Sequence, residues 1–410
     1  MRILIILWLL LPLSEALLSC SKGQGPTAPS GGVDSFTVSV SAGYGSGTYR
    51  AGDTVDIFSE NYGSDQIFDH WSGDTALLQA PREWHTWFVM PARDVSLSGH
   101  LETTAPFSLN EVSIMGRDRM KPVYYYFPPS CKGVVYLLHG TGGNAAHLVK
   151  AYEWQQLIKS LADGHYGVIV TESEESTTGV DANGDGKIRW TQLPYDSVAN
   201  VDFANIRIIT ESFYQQGLIS RALPRYAIGM SDGGFFAVAL SSMYGFTAEV
   251  NYCSQGSPLA IQMTHTPIQF CMARFDSNPQ IGPQGNADAL ANSKALEARG
   301  VCSRLLMKER SPLYPERFAR EGTLTDAQAK AVFDELEDKD YLDSRHYFRG
   351  TADAFVADYQ ADPGNFPVIA SLTLSQQQSV TSQITLSVSD HKMYSDYDHA
   401  TVSFLDDPCQ

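Results

Sequence analysis

The stretch RYAIGMSDGGFFAVAL, residues 225–240, joins a short apolar run to a glycine-rich turn and then to a second apolar run. The first run predicts a short buried strand, and the second predicts a helix that begins near Gly234. The small residues Gly229 and Gly233, together with Gly234, allow a sharp turn between strand and helix. A strand, a sharp turn and a helix in this order raise the side chain of Ser231 above a sheet, so its hydroxyl is a candidate nucleophile.

A second glycine-rich turn, HGTGG, begins at His139 and directly follows the apolar strand run 133–138. Glycines in such a turn leave backbone N–H groups exposed, and these can stabilise an oxyanion. We expect this role for the N–H of Thr141 or Gly142 together with the N–H of Asp232. His139 precedes the serine in the chain, against the order expected of a base, and we interpret it as structural.

A nucleophilic serine of this type is followed in the chain first by an acid and then by a histidine. The buried strand run 267–273 leads to Asp276 at its C-terminal end, where α/β sheets place their ligands, so Asp276 is the candidate acid. The alternative acid is Asp353, which lies in a turn without a convincing strand before it. Three histidines follow, and we favour His391 as the base over His399.

Apolar strand runs alternate with helical segments from about residue 106 to the C-terminus, which predicts a mostly parallel sheet covered on both faces. More than a hundred residues separate Asp276 from either preferred histidine. The segment 312–367 is therefore predicted to be an insertion with a helix at 326–336. His346 lies in this segment and is the third candidate base. We expect the insertion to act as a lid that shapes the substrate pocket.

The blocks LLHGTGG, YAIGMSDGG and SDHKMYSDYDHATVSFL, with the strand end at Asp276, resemble the α/β-hydrolases, and among them the polyhydroxybutyrate-depolymerase-like esterases. The resemblance covers roughly residues 107–405. It implies an α/β-hydrolase fold and cleavage of carboxylic esters through an acyl-enzyme, without a catalytic cofactor. In that mechanism Ser231 attacks, His391 moves the proton and Asp276 holds the imidazole tautomer.

The resemblance leaves the substrate open. It is compatible with a small or a polymeric ester, including a polyhydroxyalkanoate or another polyester. A carbohydrate esterase acting on feruloyl or acetyl groups is the alternative within the same chemistry, because the choice of acyl group depends on the shape of the pocket. The alternative of another class is a non-catalytic surface binding or adhesion protein with a vestigial hydrolase fold.

The N-terminus predicts export. The apolar run 3–13 has the length of a signal-peptide core and is too short to span a bilayer. It leads to LLSC, which ends at Cys20 and resembles a bacterial lipobox. We therefore predict a signal peptide at 1–19, acylation of Cys20, and a Gly/Ser/Pro-rich tether at 20–33 that holds the protein at the cell envelope. Five cysteines remain, so at least one stays outside an intramolecular disulfide.

Residues 34–102 alternate apolar and polar positions between glycine turns, which predicts a small all-β domain. The blocks GSGTYRAGDTVDI, IFDHWSGD and FVMPARDVSL, in this order, resemble the divergent internalin-type B-repeat, a family of spacers or weak binding modules. The resemblance implies a surface glycan as a partner. Trp71, Trp84 and Trp87 are candidates for a sugar-stacking platform, although a role in the core of a small β-domain is the favoured interpretation.

The segment DANGDGKI, residues 181–188, matches the start of a calcium loop. The predicted ligands are the side chains of Asp181, Asn183, Asp185 and Gln192 and the carbonyl of Lys187. Glutamine at the last position, usually a glutamate, weakens the site. A structural calcium ion and a plain acidic turn remain open alternatives.

The charge of the chain excludes one class of partner. The chain has 29 Lys and Arg residues against 46 Asp and Glu residues, and its net charge of −17 repels phosphate backbones. We therefore expect no nucleic-acid binding.

Overall fold

The computed structural model describes residues 34–104 and 107–409. The predicted signal peptide, the acylation site at Cys20 and the whole predicted tether at 20–33 lie outside these ranges. Within the described residues, no helix is both long and apolar enough to cross a membrane.

The N-terminal β region, residues 34–104, contains two sheets with strand orders β3-β1-β7-β5 and β2-β4-β6. Alternate side chains of these strands point inward and form a shared core that includes Val38, Ile57 and Phe88. Trp71 and Trp84 are buried, so neither is available to stack on a sugar. The strands are β1 (Ser35–Ser41), β2 (Gly43–Tyr44), β3 (Gly47–Arg50), β4 (Thr54–Ser59), β5 (Gln66–Gly73), β6 (His85–Val89) and β7 (Val95–Thr103).

The hydrolase region, residues 107–409, is built on one eight-stranded sheet with the order β15-β14-β13-β12-β10-β11-β9-β8. The pairs β8–β9 and β9–β11 are antiparallel, whereas the other neighbours are parallel. The strands are β8 (Asn110–Met115), β9 (Met120–Tyr126), β10 (Gly133–Leu138), β11 (Tyr166–Val170), β12 (Arg225–Met230), β13 (Ala248–Tyr252), β14 (Ile268–Ala273) and β15 (Ser303–Lys308).

Helices cover both faces of this sheet. The helices are α1 (Ala145–Lys150), α2 (Tyr152–Asp163), α3 (Glu174–Thr178), α4 (Val201–Gln215), α5 (Asp232–Tyr244), α6 (Pro258–Met263), α7 (Gly282–Ala298), α8 (Asp326–Asp338), α9 (Ala352–Ala361), α10 (Pro367–Ala370), α11 (Leu374–Ser387) and α12 (Asp398–Asp406). Short 3₁₀ turns occur at Thr75–Leu77, Pro315–Ala319 and Pro363–Asn365.

The central strand β10 shows why both faces must be covered. All six of its residues are buried, and successive side chains point to opposite faces. Tyr136 and Leu138 pack in one core with residues of α4 and α5, whereas Val135 and Leu137 pack in another with residues of α2 and α12. The strand order, with the sharp turn after the fifth of the eight strands, is that of the α/β-hydrolase fold, so the predicted fold class is confirmed.

The predicted insertion has a hydrophobic core of its own, which runs from Leu313 to Val388 and so extends beyond residue 367. It packs on the β region: Tyr314 stacks on Tyr44 with ring centroids 4.8 Å apart, and the hydroxyl of Tyr347 donates to Asp56 at 2.7 Å. From Ser35 onward the chain forms one compact unit.

One disulfide joins Cys302, just before β15, to Cys409 near the C-terminus, with Cα atoms 5.2 Å apart. Among the described residues, Cys131, Cys253 and Cys271 are free thiols.

Candidate active site

Ser231 lies on a strained turn between β12 and α5. Its φ of 56° and ψ of −120° put a non-glycine residue in a region that L-amino acids rarely adopt. The flanking glycines are required by close packing: a Cβ at Gly229 would lie 2.1 Å from the carbonyl oxygen of Gly233, and a Cβ at Gly233 would lie 2.2 Å from that of Leu138. The turn therefore closes only with glycine at these positions.

The structure brings Ser231, His391 and Asp276 together. The Nε2 of His391 lies 3.0 Å from the Oγ of Ser231, and its Nδ1 lies 2.7 Å from Oδ2 of Asp276. With the proton on Nδ1, the ring donates to Asp276 and accepts from the serine hydroxyl. The Asp276 side chain is fully buried, and its other oxygen accepts the N–H of Asn278 at 2.9 Å. This carboxylate is thus held in one orientation.

Short backbone contacts fix the relative positions of the acid and the base. Asp276 follows β14, whereas His391 lies in the loop between α11 and α12. The carboxylate of Asp390 bridges these segments, because it accepts the N–H of Ser277 and the N–H of His391, both at 2.6 Å. Sequence reasoning did not identify Asp390.

Cys253 follows β13 directly and lies beside the acid and the base. Its sulfur, a carboxylate oxygen of Asp276 and a ring nitrogen of His391 lie within 4.8 Å of one another. Burial raises the pKa of this thiol well above its usual value. Burial therefore favours the neutral thiol beside these two residues.

The predicted oxyanion turn needs one correction. The N–H of Gly142 donates to the carbonyl of Ile188 at 2.8 Å and is not free to bind an oxyanion. The N–H groups of Thr141 and Asp232 have no acceptor in the described part of the chain. Asp232 is the first residue of α5, so its N–H carries the partial positive charge of a helix N-terminus.

His139 has the structural role that its position in the chain indicates. Its Nδ1 lies 2.7 Å from the carbonyl oxygen of Gly140, and its Nε2 accepts the N–H of Ser173 at 3.1 Å. Burial lowers its pKa to about 4, which keeps the ring neutral. The ring also packs on Trp190, with centroids 4.9 Å apart.

The acidic segment at 181–188 is held in its conformation by hydrogen bonds of its own carboxylates. The carboxylate of Asp181 accepts the N–H groups of Gly184 and Gly186, each at 2.7 Å, and Asp185 forms an ion pair with Arg189. These contacts form a tight acidic turn, and calcium binding by its oxygens stays a prediction.

The side chain of Gln192, the last predicted calcium ligand, contacts the start of α5. Its amide donates to Asp232 at 2.6 Å, and the other oxygen of Asp232 accepts the N–H of Trp190 at 3.0 Å. Burial raises the pKa of Asp232 to about 6. The segment after the acidic turn thereby holds the start of α5 next to the nucleophile.

The alternative acid and bases lie elsewhere. Asp353 is exposed in the first turn of α9, where a negative charge complements the helix dipole. His399 is in α12 and its N–H donates to Glu83, while His346 is in the insertion, 3.6 Å from Glu337. None of the three forms a hydrogen bond with Ser231, whereas His391 does.

The cavity at Ser231 is small, about 120 Å³. It is lined by Arg189, Gln192, Ser231, Asp232, Phe235, Gln280 and Ile281. No described residue of the segment 312–367 lines it, so the expectation that this insertion acts as a lid is wrong. Sequence reasoning missed Arg189, Phe235, Gln280 and Ile281 because no pattern marks single loop residues that meet only in the folded protein.

No family model and no curated protein matches the chain. Similar chains at low identity are found among solved structures. Among solved structures, it is similar to a dienelactone hydrolase from Anabaena variabilis, with 14% identity, a TM-score of 0.36, and coverage of 50% of this chain and 87% of that one. A ferulic acid esterase has 11% identity and a TM-score of 0.36, and the match covers 49% of this chain and 89% of that one. A thermostable esterase has 12% identity and a TM-score of 0.36, and the match covers 68% of this chain and 90% of that one.

Proposed function

We propose that this protein is a serine hydrolase that cleaves carboxylic esters through an acyl-enzyme. The observation that carries the proposal is the hydrogen-bonded chain from Ser231 through His391 to Asp276, with the serine on a strained turn at the C-terminal edge of the sheet. A nucleophile, a base in hydrogen-bond reach and a buried carboxylate that orients the base are the groups that acyl transfer needs.

In the proposed reaction, the Oγ of Ser231 attacks the ester carbonyl while the Nε2 of His391 takes its proton. The N–H groups of Thr141 and Asp232 stabilise the oxyanion of the tetrahedral intermediate. Collapse of this intermediate breaks the bond to the alcohol oxygen, which receives the proton from His391. Water then attacks the acyl-serine with His391 again as base, which releases the acid and restores the serine. Asp276 keeps the imidazole in the required tautomer.

The cavity narrows the substrate class. Its volume of about 120 Å³ lies below that of most small-molecule pockets, which favours a short acyl group over a long aliphatic chain. Arg189, Gln192 and Gln280 line it and can hydrogen-bond to oxygen atoms of a substrate. This lining favours a short or oxygen-rich acyl group, as in a carbohydrate ester or a short-chain polyester, over a long aliphatic acyl group.

The decisive test compares wild type with Ser231→Ala on p-nitrophenyl acetate and p-nitrophenyl octanoate. We expect the variant to lose at least about 10³-fold in kcat, and the wild type to prefer the acetate. A fluorophosphonate probe should label wild type and not the variant. Ser220→Ala, at an exposed serine away from the cavity, is the matched control. Full activity of Ser231→Ala would refute the proposal.

The non-catalytic alternative gives the opposite result. A surface binding protein with a vestigial hydrolase fold would bind a cell-wall glycan and show no turnover of any ester in the panel. Glycan binding by the β region stays a prediction, and Trp87 is the one of the three tryptophans that is not buried.

We further propose that the protein is exported and anchored by acylation of Cys20. A Cys20→Ala variant expressed in a bacterium should move from the detergent phase to the aqueous phase on Triton X-114 partition. Unchanged partition would contradict the anchor without affecting the proposed chemistry.

A further inference from the structure

The base His391 sits on a loop that two parts of the protein hold from opposite ends. We call residues 388–397, between α11 and α12, the histidine loop. The hydrolase region holds its first half: Ser389 donates to the carbonyl of Lys308 at 2.6 Å, and the hydroxyl of Tyr394 donates to the carbonyl of Met272 at 3.1 Å. These contacts tie the loop to the ends of β14 and β15.

The N-terminal β region holds the second half of the loop. The indole Nε1 of Trp84 donates to the carbonyl of Ser395 at 3.2 Å, and Nδ1 of His85 lies 2.7 Å from Oδ2 of Asp396. The same oxygen of Asp396 accepts from Nζ of Lys308 at 2.5 Å. Trp84, Lys308 and Asp396 are buried, so these contacts are shielded from solvent.

The polar side chains of this cluster, including Lys308 and Asp396, stabilise one another. Burial opposes ionisation of Asp396, but Lys308 and His85 lower its pKa far below the usual range. The other ring nitrogen of His85 lies 3.0 Å from Oδ1 of Asp56. The His85 ring thus bridges two carboxylates, with one ring nitrogen facing Asp396 and the other facing Asp56. Removing Asp396 takes away the ion-pair partner of the buried Lys308 and one partner of His85.

The β region also caps the helix that follows the loop. The carboxylate of Glu83 accepts the N–H of His399 at 3.3 Å and that of Ala400 at 2.7 Å. These are first-turn donors of α12, and Tyr397 before them supplies no side-chain cap. Glu83, which is distant in the sequence, thus accepts the hydrogen bonds that a local capping side chain usually accepts.

We propose that Glu83, Trp84 and His85 are positioning residues for the catalytic base. The N-terminal β region then contributes to the geometry of the active site and is not only a spacer. The proposal rests on the proposed esterase function. None of the three side chains touches the nucleophile. They act through Ser395, Asp396 and the start of α12, which set where the imidazole of His391 lies relative to Ser231.

Replacing any of these three residues should lower kcat and leave substrate binding unchanged. None of the three residues lines the cavity at Ser231, so KM should change by less than about twofold. A displacement of the imidazole by about 1 Å should lower kcat by about 10- to 100-fold. His85→Asn, which keeps a neutral donor near the position of Nδ1, should recover part of the loss seen in His85→Ala.

The test uses the full chain and p-nitrophenyl acetate, with the variants His85→Ala, His85→Asn, Asp396→Asn and the double variant of His85→Ala with Asp396→Asn. His70→Ala is the matched control, since His70 lies in the same β region, is half-exposed and pairs with Asp69. If His85 acts through Asp396, the double variant should be no slower than Asp396→Asn alone. Equal kcat for wild type, His85→Ala and His70→Ala would overturn the proposal, and so would additive losses in the double variant.

Two further outcomes are covered. If His85→Ala does not fold, His85→Asn and Asp396→Asn carry the same comparison, and wild-type kcat in both would overturn the proposal. If wild type turns over no ester, the proposed function fails, and hydrogen exchange then decides the positioning role alone. His85→Asn should raise the exchange of the segment 389–400 relative to His70→Ala, and equal protection would overturn the proposal.

Discussion

A buried glutamate without a partner makes the stability of the protein depend on pH. Glu249 lies on β13 with no exposed surface, and neither of its carboxyl oxygens has a hydrogen-bond partner in the described chain. Burial raises its pKa from the ordinary 4.5 to about 8. Because an unpaired charge is costly in this position, the folded protein retains a proton that the unfolded chain releases.

The sign and size of the effect follow from these two values. Below about pH 4.5 both states are protonated, and Glu249 costs nothing. Between about pH 4.5 and pH 8 the folded state binds one more proton, so the free energy of unfolding falls as the pH rises. Above about pH 8 the loss of unfolding free energy reaches its full size. The difference between the pKa values of 4.5 and about 8 corresponds to a loss of about 5 kcal/mol at most.

Glu249→Gln removes the titration and nearly preserves the shape. We expect the variant to match wild type at about pH 4.5, to gain about 3 kcal/mol at pH 7, and to gain up to about 5 kcal/mol at pH 9. Urea unfolding followed by tryptophan fluorescence at these pH values measures the difference. Glu297→Gln, at an exposed glutamate of α7, should leave the pH profile unchanged. Parallel stability profiles for wild type and Glu249→Gln would refute the reasoning.

Three further predictions concern the turn, the acid and the disulfide. Asp276→Asn should keep the fold by circular dichroism and lower kcat by about 10⁴-fold, because the amide no longer selects the tautomer; an unchanged kcat would exclude the proposed role. Gly233→Ala should cost about 3 kcal/mol in urea unfolding, because its Cβ would lie 2.2 Å from the carbonyl oxygen of Leu138, and wild-type stability would show that the turn can relax. Replacing both Cys302 and Cys409 by serine should lower stability by about 4 to 5 kcal/mol, since the bridge spans 107 residues, and a reducing agent should then have no further effect.

Local patterns account for the parts of the fold that the sequence predicts. The strand–turn–helix around Ser231 is readable because apolar runs and glycines at fixed spacing occur within sixteen neighbouring residues. The edge strand β8 is not readable in this way, because five of its six residues are exposed and leave no apolar run. Helix α11 is likewise rich in glutamine, serine and threonine, and its burial depends on the core of the insertion.

The errors at the site have a common physical origin in tertiary contacts. Gly142 has the right residue type and position for an oxyanion donor, but a carbonyl from residue 188 takes its N–H. The contact of the Gln192 amide with the buried carboxyl group of Asp232 was not predicted either. In both cases the partner lies at a distance that spacing along the chain does not reveal.

The long segment between Asp276 and His391 has a structural role other than that of a lid. The insertion between them packs on the β region, and its Arg320 reaches the histidine loop: the guanidinium donates to the Ser395 hydroxyl at 3.0 Å and to Glu153 of α2 at 2.9 Å. It also stacks over Trp84 at 3.6 Å from the ring centroid. Three separate parts of the chain therefore converge on Ser395. Because a loop held from three directions cannot shift without breaking buried polar contacts, the imidazole is held in place before any substrate binds.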